Sequence, residues 1–113
     1  MIDNKIDKRI LIMDTTLKLL SEHGFHGTPI SLIAQSAGVG AGTIYRYFSN
    51  KEELINELFK EIKRNIIKAM LTNYREEGTY KERFKHLWKN MLEFFINHPK
   101  EFQFIEQHRY APY

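Results

Sequence analysis

The chain has no cysteine among its 113 residues. Disulfides and thiolate metal sites are therefore excluded, and the composition suits a reducing cytoplasm, the expected location. No apolar run approaches the roughly 20 residues of a membrane-spanning helix. The opening residues, MIDNKIDKR, mix charges and lack the apolar centre of a secretion signal. Internal repeats, low-complexity segments and strand-like alternation are also missing. One further absence is local: no acidic residue stands between Glu22 and Glu52, a window that holds Arg46 and Lys51. A surface meant to lie on phosphates avoids carboxylates. The plainer reading of that gap is chance clustering in a segment rich in Gly and Ala.

What is present is enough for a folded core, since 42% of the residues are hydrophobic. The net charge of +3 and a pI of about 9.1 are weak pointers to nucleic acid on their own. Apolar residues recur at helical spacing throughout, so the expected fold class is all-α. A first helix is expected from about Lys5 to His23, with Ile6, Ile10, Met13, Leu17 and Leu20 on one stripe, widened by Ile12 and Leu19. Gly24 ends it as a C-cap glycine, and Phe25 folds back onto it. Thr28 followed by Pro29 reads as an N-cap and first-turn proline for the second helix.

The segment Ser31 to Phe48, SLIAQSAGVGAGTIYRYF, organises the rest. Ile33, Ala34 and Ala37 give one short helix an apolar side. Gly38 stops it, Val39 plugs the turn, and Ile44 and Phe48 share the inner face of another helix. That is the layout of a helix-turn-helix, whose second helix is presented to the DNA major groove. Asn50 with Glu53 forms a capping-box pattern that opens a fourth helix. Its stripe of Ile55, Phe59, Ile62, Ile66 and Met70, with Leu54 and Leu58 beside it, predicts a helix reaching about Tyr74. The break is expected at Glu76 to Thr79. A fifth helix follows on Tyr80, Phe84, Leu87, Trp88, Met91 and Phe95, and a short sixth after Pro99 with Phe102 and Ile105 inward.

The segment TPISLIAQSAGVGAGTIYRYFSNKEEL, Thr28 to Leu54, resembles the DNA-binding core of the TetR family of bacterial transcriptional regulators. The resemblance is carried by Ile33–Ala34, by Ala37 to Val39, by GTIYRYF at Gly42 to Phe48, and by NKEEL at Asn50 to Leu54. HGF at His23 to Phe25 extends it. It implies a three-helix DNA-binding domain over 1–50. Over 51–113 it implies a connecting helix and an incomplete helical domain for effector binding and dimerisation. Family chains run to nearly twice this length, so the sequence is expected to be a fragment.

By the same resemblance, Ala41, Gly42, Thr43, Tyr45 and Tyr47 face DNA. Thr43, Tyr45 and Lys51 would hold phosphates, while Ala41, Gly42, Arg46 and Tyr47 would reach bases. Lys51 in the first turn of the fourth helix adds its charge to unpaired N–H groups and the positive dipole end, and Thr28 is the matching site at the second helix. For each tyrosine, packing at the core edge is the other reading. Phe84, Trp88 and Phe95 either line an effector pocket or are plain core. Gly38, Gly40 and Gly42 imitate a phosphate loop, but the spacing is wrong and no strand precedes them. No metal-ligand spacing or catalytic pattern stands out, so no cofactor, no metal and no enzymatic activity are expected. The expected function is an operator-binding regulator: a homodimeric repressor released from double-stranded, palindromic DNA by a small-molecule effector. The rival is a helical ligand-binding or protein-interaction module without operator binding.

Overall fold

The computed structural model describes residues 4–110, with side chains described over 8–109. The inward place expected for Ile6 and the chain end at Ala111, Pro112 and Tyr113 lie outside the described residues. Six helices make up the described chain: α1 Asn4–His23, α2 Ile30–Ala37, α3 Ala41–Tyr47, α4 Lys51–Met70, α5 Tyr80–Asn97 and α6 Pro99–Tyr110. Among the described residues there is no strand, so the expected all-helical class holds.

Over its described residues α1 buries its expected stripe except at Ile10. Ile12, Met13, Thr16, Leu19 and Leu20 are buried, whereas Ile10 is half exposed. A polar Thr16 fits the interior because its hydroxyl donates to the Ile12 carbonyl at 2.7 Å. α1 stops at Gly24, whose φ of +75° suits glycine. Phe25 then packs against the core as expected.

The start of α2 differs from expectation. Pro29 is the N-cap residue, α2 begins at Ile30, and no side chain caps it. The Thr28 hydroxyl turns the other way and donates to the Gly24 carbonyl at 2.7 Å. It closes the turn after α1 instead of opening α2.

The core joins all of this. Ile33 and Ala34 of α2, Ile44 and Phe48 around α3, and Leu54, Ile55, Leu58 and Ile62 of α4 form one buried cluster with α1. α4 is capped as expected by Asn50, which accepts from the Glu53 amide at 2.8 Å. The Glu53 carboxylate reaches back to the Ser49 amide, and hydrogen bonding from the Ser49 side chain, then from its backbone, holds it below the usual glutamate range.

α4 ends at Met70, short of Tyr74, and Asn73 follows in a left-handed conformation at φ 58°. α5 supplies the reason. Asn90 donates to the carbonyls of Met70 and Thr72 at 3.0 and 2.9 Å, and the His86 Nε2 bonds Thr72 O at 2.8 Å. These side chains satisfy carbonyls that another helical turn would have used. Thr79 caps α5 as expected, accepting from the Glu82 amide at 3.1 Å.

α5 has no fully buried residue. α6 lies across α1 and α5 and anchors through Phe104, which is 2% exposed and sits 6.5 Å from the Phe59 ring. Phe102, expected inward, is half exposed. Ile105, also expected inward, packs against the core, and Phe104, docked toward α1 and α4, takes the buried place expected for Phe102.

Candidate nucleic-acid interface

Gly38 sets the angle between α2 and α3. Its φ of 72° and ψ of 32° place it in the left-handed region, where an L side chain is strained. From there the Val39 amide returns to the Ala34 carbonyl at 3.0 Å, and Val39 itself packs on the core. Gly40 is the N-cap residue of α3 and offers no side-chain cap. Two buried anchors then fix the roll of α3: Ile44 at 0% exposure and Phe48 at 1%.

With those anchors inward, Ala41, Gly42, Tyr45 and Arg46 stand exposed, and Thr43 and Tyr47 are half buried. The two tyrosines differ. Tyr45 projects outward at 52% exposure. Tyr47 packs against the core, with its ring 6.4 Å from Phe48. Among the described residues Arg46 makes no ion pair, consistent with the acid-free window around it.

Lys51 begins α4, yet its ammonium turns toward the segment after α1. It donates to the Phe25 carbonyl and lies 4.0 Å from the Phe25 ring centroid. Burial lowers its pKa from the usual lysine value, with Glu52 pulling the other way. Thr28, expected as a second phosphate site, is fully buried with its hydroxyl committed to Gly24. It positions the turn and presents no hydroxyl outward.

The expected effector residues are not gathered around an enclosed space. Phe84 and Trp88 stand 61% and 44% exposed, edge to face at 5.9 Å, and form an open groove of about 620 Å³ with Leu92 and Ile96. Phe95 instead meets the Phe102 ring of α6 at 5.1 Å. A second cleft, of about 470 Å³, opens where α1, α4, α5 and α6 meet, between Met13, Leu17, Ile62 and Phe94. Among the described residues no three His, Asp or Glu side chains gather at metal-binding distance.

Sequence reasoning missed Arg9, which touches the end of α3, and Phe104, which seats α6. Arg9 sits in a charged N-terminal stretch where its contacts leave no periodic signal. Phe104 was hidden by the equally apolar Phe102.

A short helix seated on buried anchors behind a glycine turn, with α1 across it, defines a helix-turn-helix protein with a helical extension. Residues 12–58 match the family described as bacterial regulatory proteins, tetR family. The chain is similar to the fatty acid metabolism regulator protein of Bacillus subtilis (strain 168), with 40% identity over 79 residues, 70% of this chain and 41% of that protein. It is similar in structure to the fatty acid degradation regulator FadR from Bacillus halodurans, at TM-score 0.76 and 32% identity over 83% of this chain and 50% of that one. A TetR-family transcriptional regulator from Haemophilus influenzae Rd matches at TM-score 0.84 and 26% identity, over 98% of this chain and 61% of that one. Over residues 12–58 the chain matches the TetR family of bacterial transcriptional regulators, and these relatives are regulators of that kind. The chain spans less than two thirds of the length of each of these relatives.

Proposed function

We propose that the chain is the DNA-binding part of a sequence-specific transcriptional regulator that acts in the cytoplasm and catalyses nothing. In this reading residues 1–50 bind duplex DNA, and residues 51–113 form the connecting helix and part of a helical effector-binding domain. The observation that carries it is the outer face of α3: Ala41, Gly42, Tyr45 and Arg46 exposed together, behind them a fully buried Ile44 and Phe48, and no carboxylate in the surrounding sequence window. Arg46 and Tyr45 supply hydrogen bonds and charge, while the Ala41 methyl suits a thymine methyl. Thr43 and Lys51 flank that face as phosphate contacts, and Tyr47 supports it from the core edge.

The whole protein acts as a homodimer on a palindromic operator, because a two-fold protein reads a two-fold site. It is a repressor, released when a small molecule changes the spacing or tilt of the two copies of α3 through α4. Phe84, Trp88 and Phe95 on α5 are the proposed effector contacts. The two fatty acid regulators among its relatives make fatty acyl compounds the first effectors to try. Coupling of this kind is reciprocal, so DNA weakens effector binding by the same factor.

Selection of bound duplexes from a random pool tests the reading. Enrichment of one short motif, with affinity falling steeply as salt rises, is the expected result. Salt-sensitive binding with no enriched motif would leave only a basic surface and contradict sequence-specific regulation.

A further inference from the structure

We infer that Arg9 is a positioning residue for the recognition helix: it sets the aim of α3 from outside the DNA-contact face. The functional half of this inference rests on the DNA-binding reading above. The Arg9 guanidinium lies over the Phe48 ring at 5.5 Å. Its Nη2 approaches Glu57 Oε2 at 3.5 Å, and its Nη1 donates to Met13 Sδ at 3.3 Å. One side chain of α1 thus touches the last anchor of α3 and the second turn of α4. Glu57 also holds Lys60 at 3.3 Å, which steadies the carboxylate that Arg9 meets.

The chemistry suits arginine and not lysine. A guanidinium is planar and weakly hydrated, so it can lie on a ring face while its edge pairs with a carboxylate. An ammonium is a compact, strongly hydrated point charge with no planar face to lay on the ring and no second nitrogen for the carboxylate. Each contact is weak alone, because Arg9 and Glu57 are partly exposed. Their joint effect is directional. α3 has only seven residues and no side-chain N-cap, and its roll rests on Ile44 and Phe48. Phe48 is the C-cap residue, where the backbone turns extended, and its amide bonds the Ile44 carbonyl at 3.0 Å. Whatever fixes Phe48 fixes the direction in which Tyr45 and Arg46 point.

The test uses Arg9→Met and Arg9→Lys in the 113-residue chain. Amide hydrogen exchange and binding to a selected and a random duplex are read at several salt concentrations. In both variants the Phe48 amide is expected to exchange about tenfold faster while the Ile33 amide is unchanged. The preference for the selected duplex is expected to fall about tenfold, with random-duplex affinity and salt slope kept. Unchanged Phe48 exchange would overturn the inference. So would equal acceleration at Ile33 and Phe48, which marks general destabilisation, or a flattened salt slope with Phe48 protection intact, which marks a phosphate ligand. If the wild-type chain prefers no sequence, the DNA-binding reading fails on its own, and the exchange measurement still decides whether Arg9 holds α3.

Discussion

The ammonium of Lys51 sits 4.0 Å above the ring of Phe25 and donates to the Phe25 carbonyl, tying the first turn of α4 to the segment that follows α1. A charge at a helix N-terminus is available to a phosphate, but here the same charge also closes the domain. The two roles separate by substitution. Lys51→Met keeps the length and loses the donor. Chemical denaturation should show a loss of about 1 kcal/mol for the missing hydrogen bond. DNA titrations should show equal weakening on selected and random duplexes, with the salt slope flatter by about one unit per copy bound. A stability loss with an unchanged slope would make Lys51 a clasp alone.

Thr28 offers the opposite case. Its hydroxyl is buried and bonded to Gly24, so Thr28→Val should lower stability by about 1 kcal/mol. The salt slope of DNA binding should not change. Urea melts and a salt series on the same variant check both halves.

The glycines divide by backbone geometry. Gly38 needs its left-handed conformation, although a methyl group there would meet nothing within 4 Å. Gly38→Ala should therefore cost about 1–2 kcal/mol from conformation alone, and Gly38→Val more. At Gly27 the obstacle is spatial: a Cβ would meet the His23 carbonyl oxygen at 2.4 Å, and Gly27→Ala should cost about 1–3 kcal/mol. Gly42 sits in α3 with open space around it, so Gly42→Ala should stabilise the fold by about 0.5–1 kcal/mol. Denaturant midpoints of the four variants test this order.

His108 makes the seating of α6 sensitive to acid. Its ring stacks on Phe59 at 4.4 Å, and burial lowers its pKa below the usual 6.5. A group with a depressed folded pKa stabilises the fold above its ordinary value. That contribution is lost as pH falls below 6.5 toward the folded value. Melting temperature should drop across that range, and His108→Leu should flatten the drop. Identical pH profiles for the two proteins would show that another group titrates.

The helix-turn-helix was legible in the sequence because its signals are local. Gly38 and Val39 mark the turn, Ile44 and Phe48 repeat at helical spacing, and Asn50 with Glu53 caps the next helix. Signals that two arrangements satisfy equally well, or that depend on a distant partner, were not legible. Thr28 before Pro29 has the pattern of a cap, and only the fold shows its hydroxyl turned back to Gly24. The end of α4 at Met70 depends on Asn90 and His86, many residues later. Phe102 and Phe104 are equally apolar, and docking on α1 and α4 chooses between them. At the candidate interface the outward positions of Tyr45 and Arg46 follow from helical period. The half-buried place of Tyr47 and the inward reach of Lys51 follow from tertiary contacts.

Whether the outer face of α3 reads DNA sequence is decided most directly by equilibrium binding. The measurement is a set of isotherms for the wild-type chain, Tyr45→Ala and Arg46→Ala, on a selected and a random duplex over a range of salt. The wild-type chain should prefer the selected duplex. Each variant should lose affinity for it by about 1–3 kcal/mol, the typical worth of a read base pair, and lose less on random DNA. Superimposed isotherms on the two duplexes for all three proteins would contradict sequence reading, because α3 would then hold DNA without distinguishing one duplex from another.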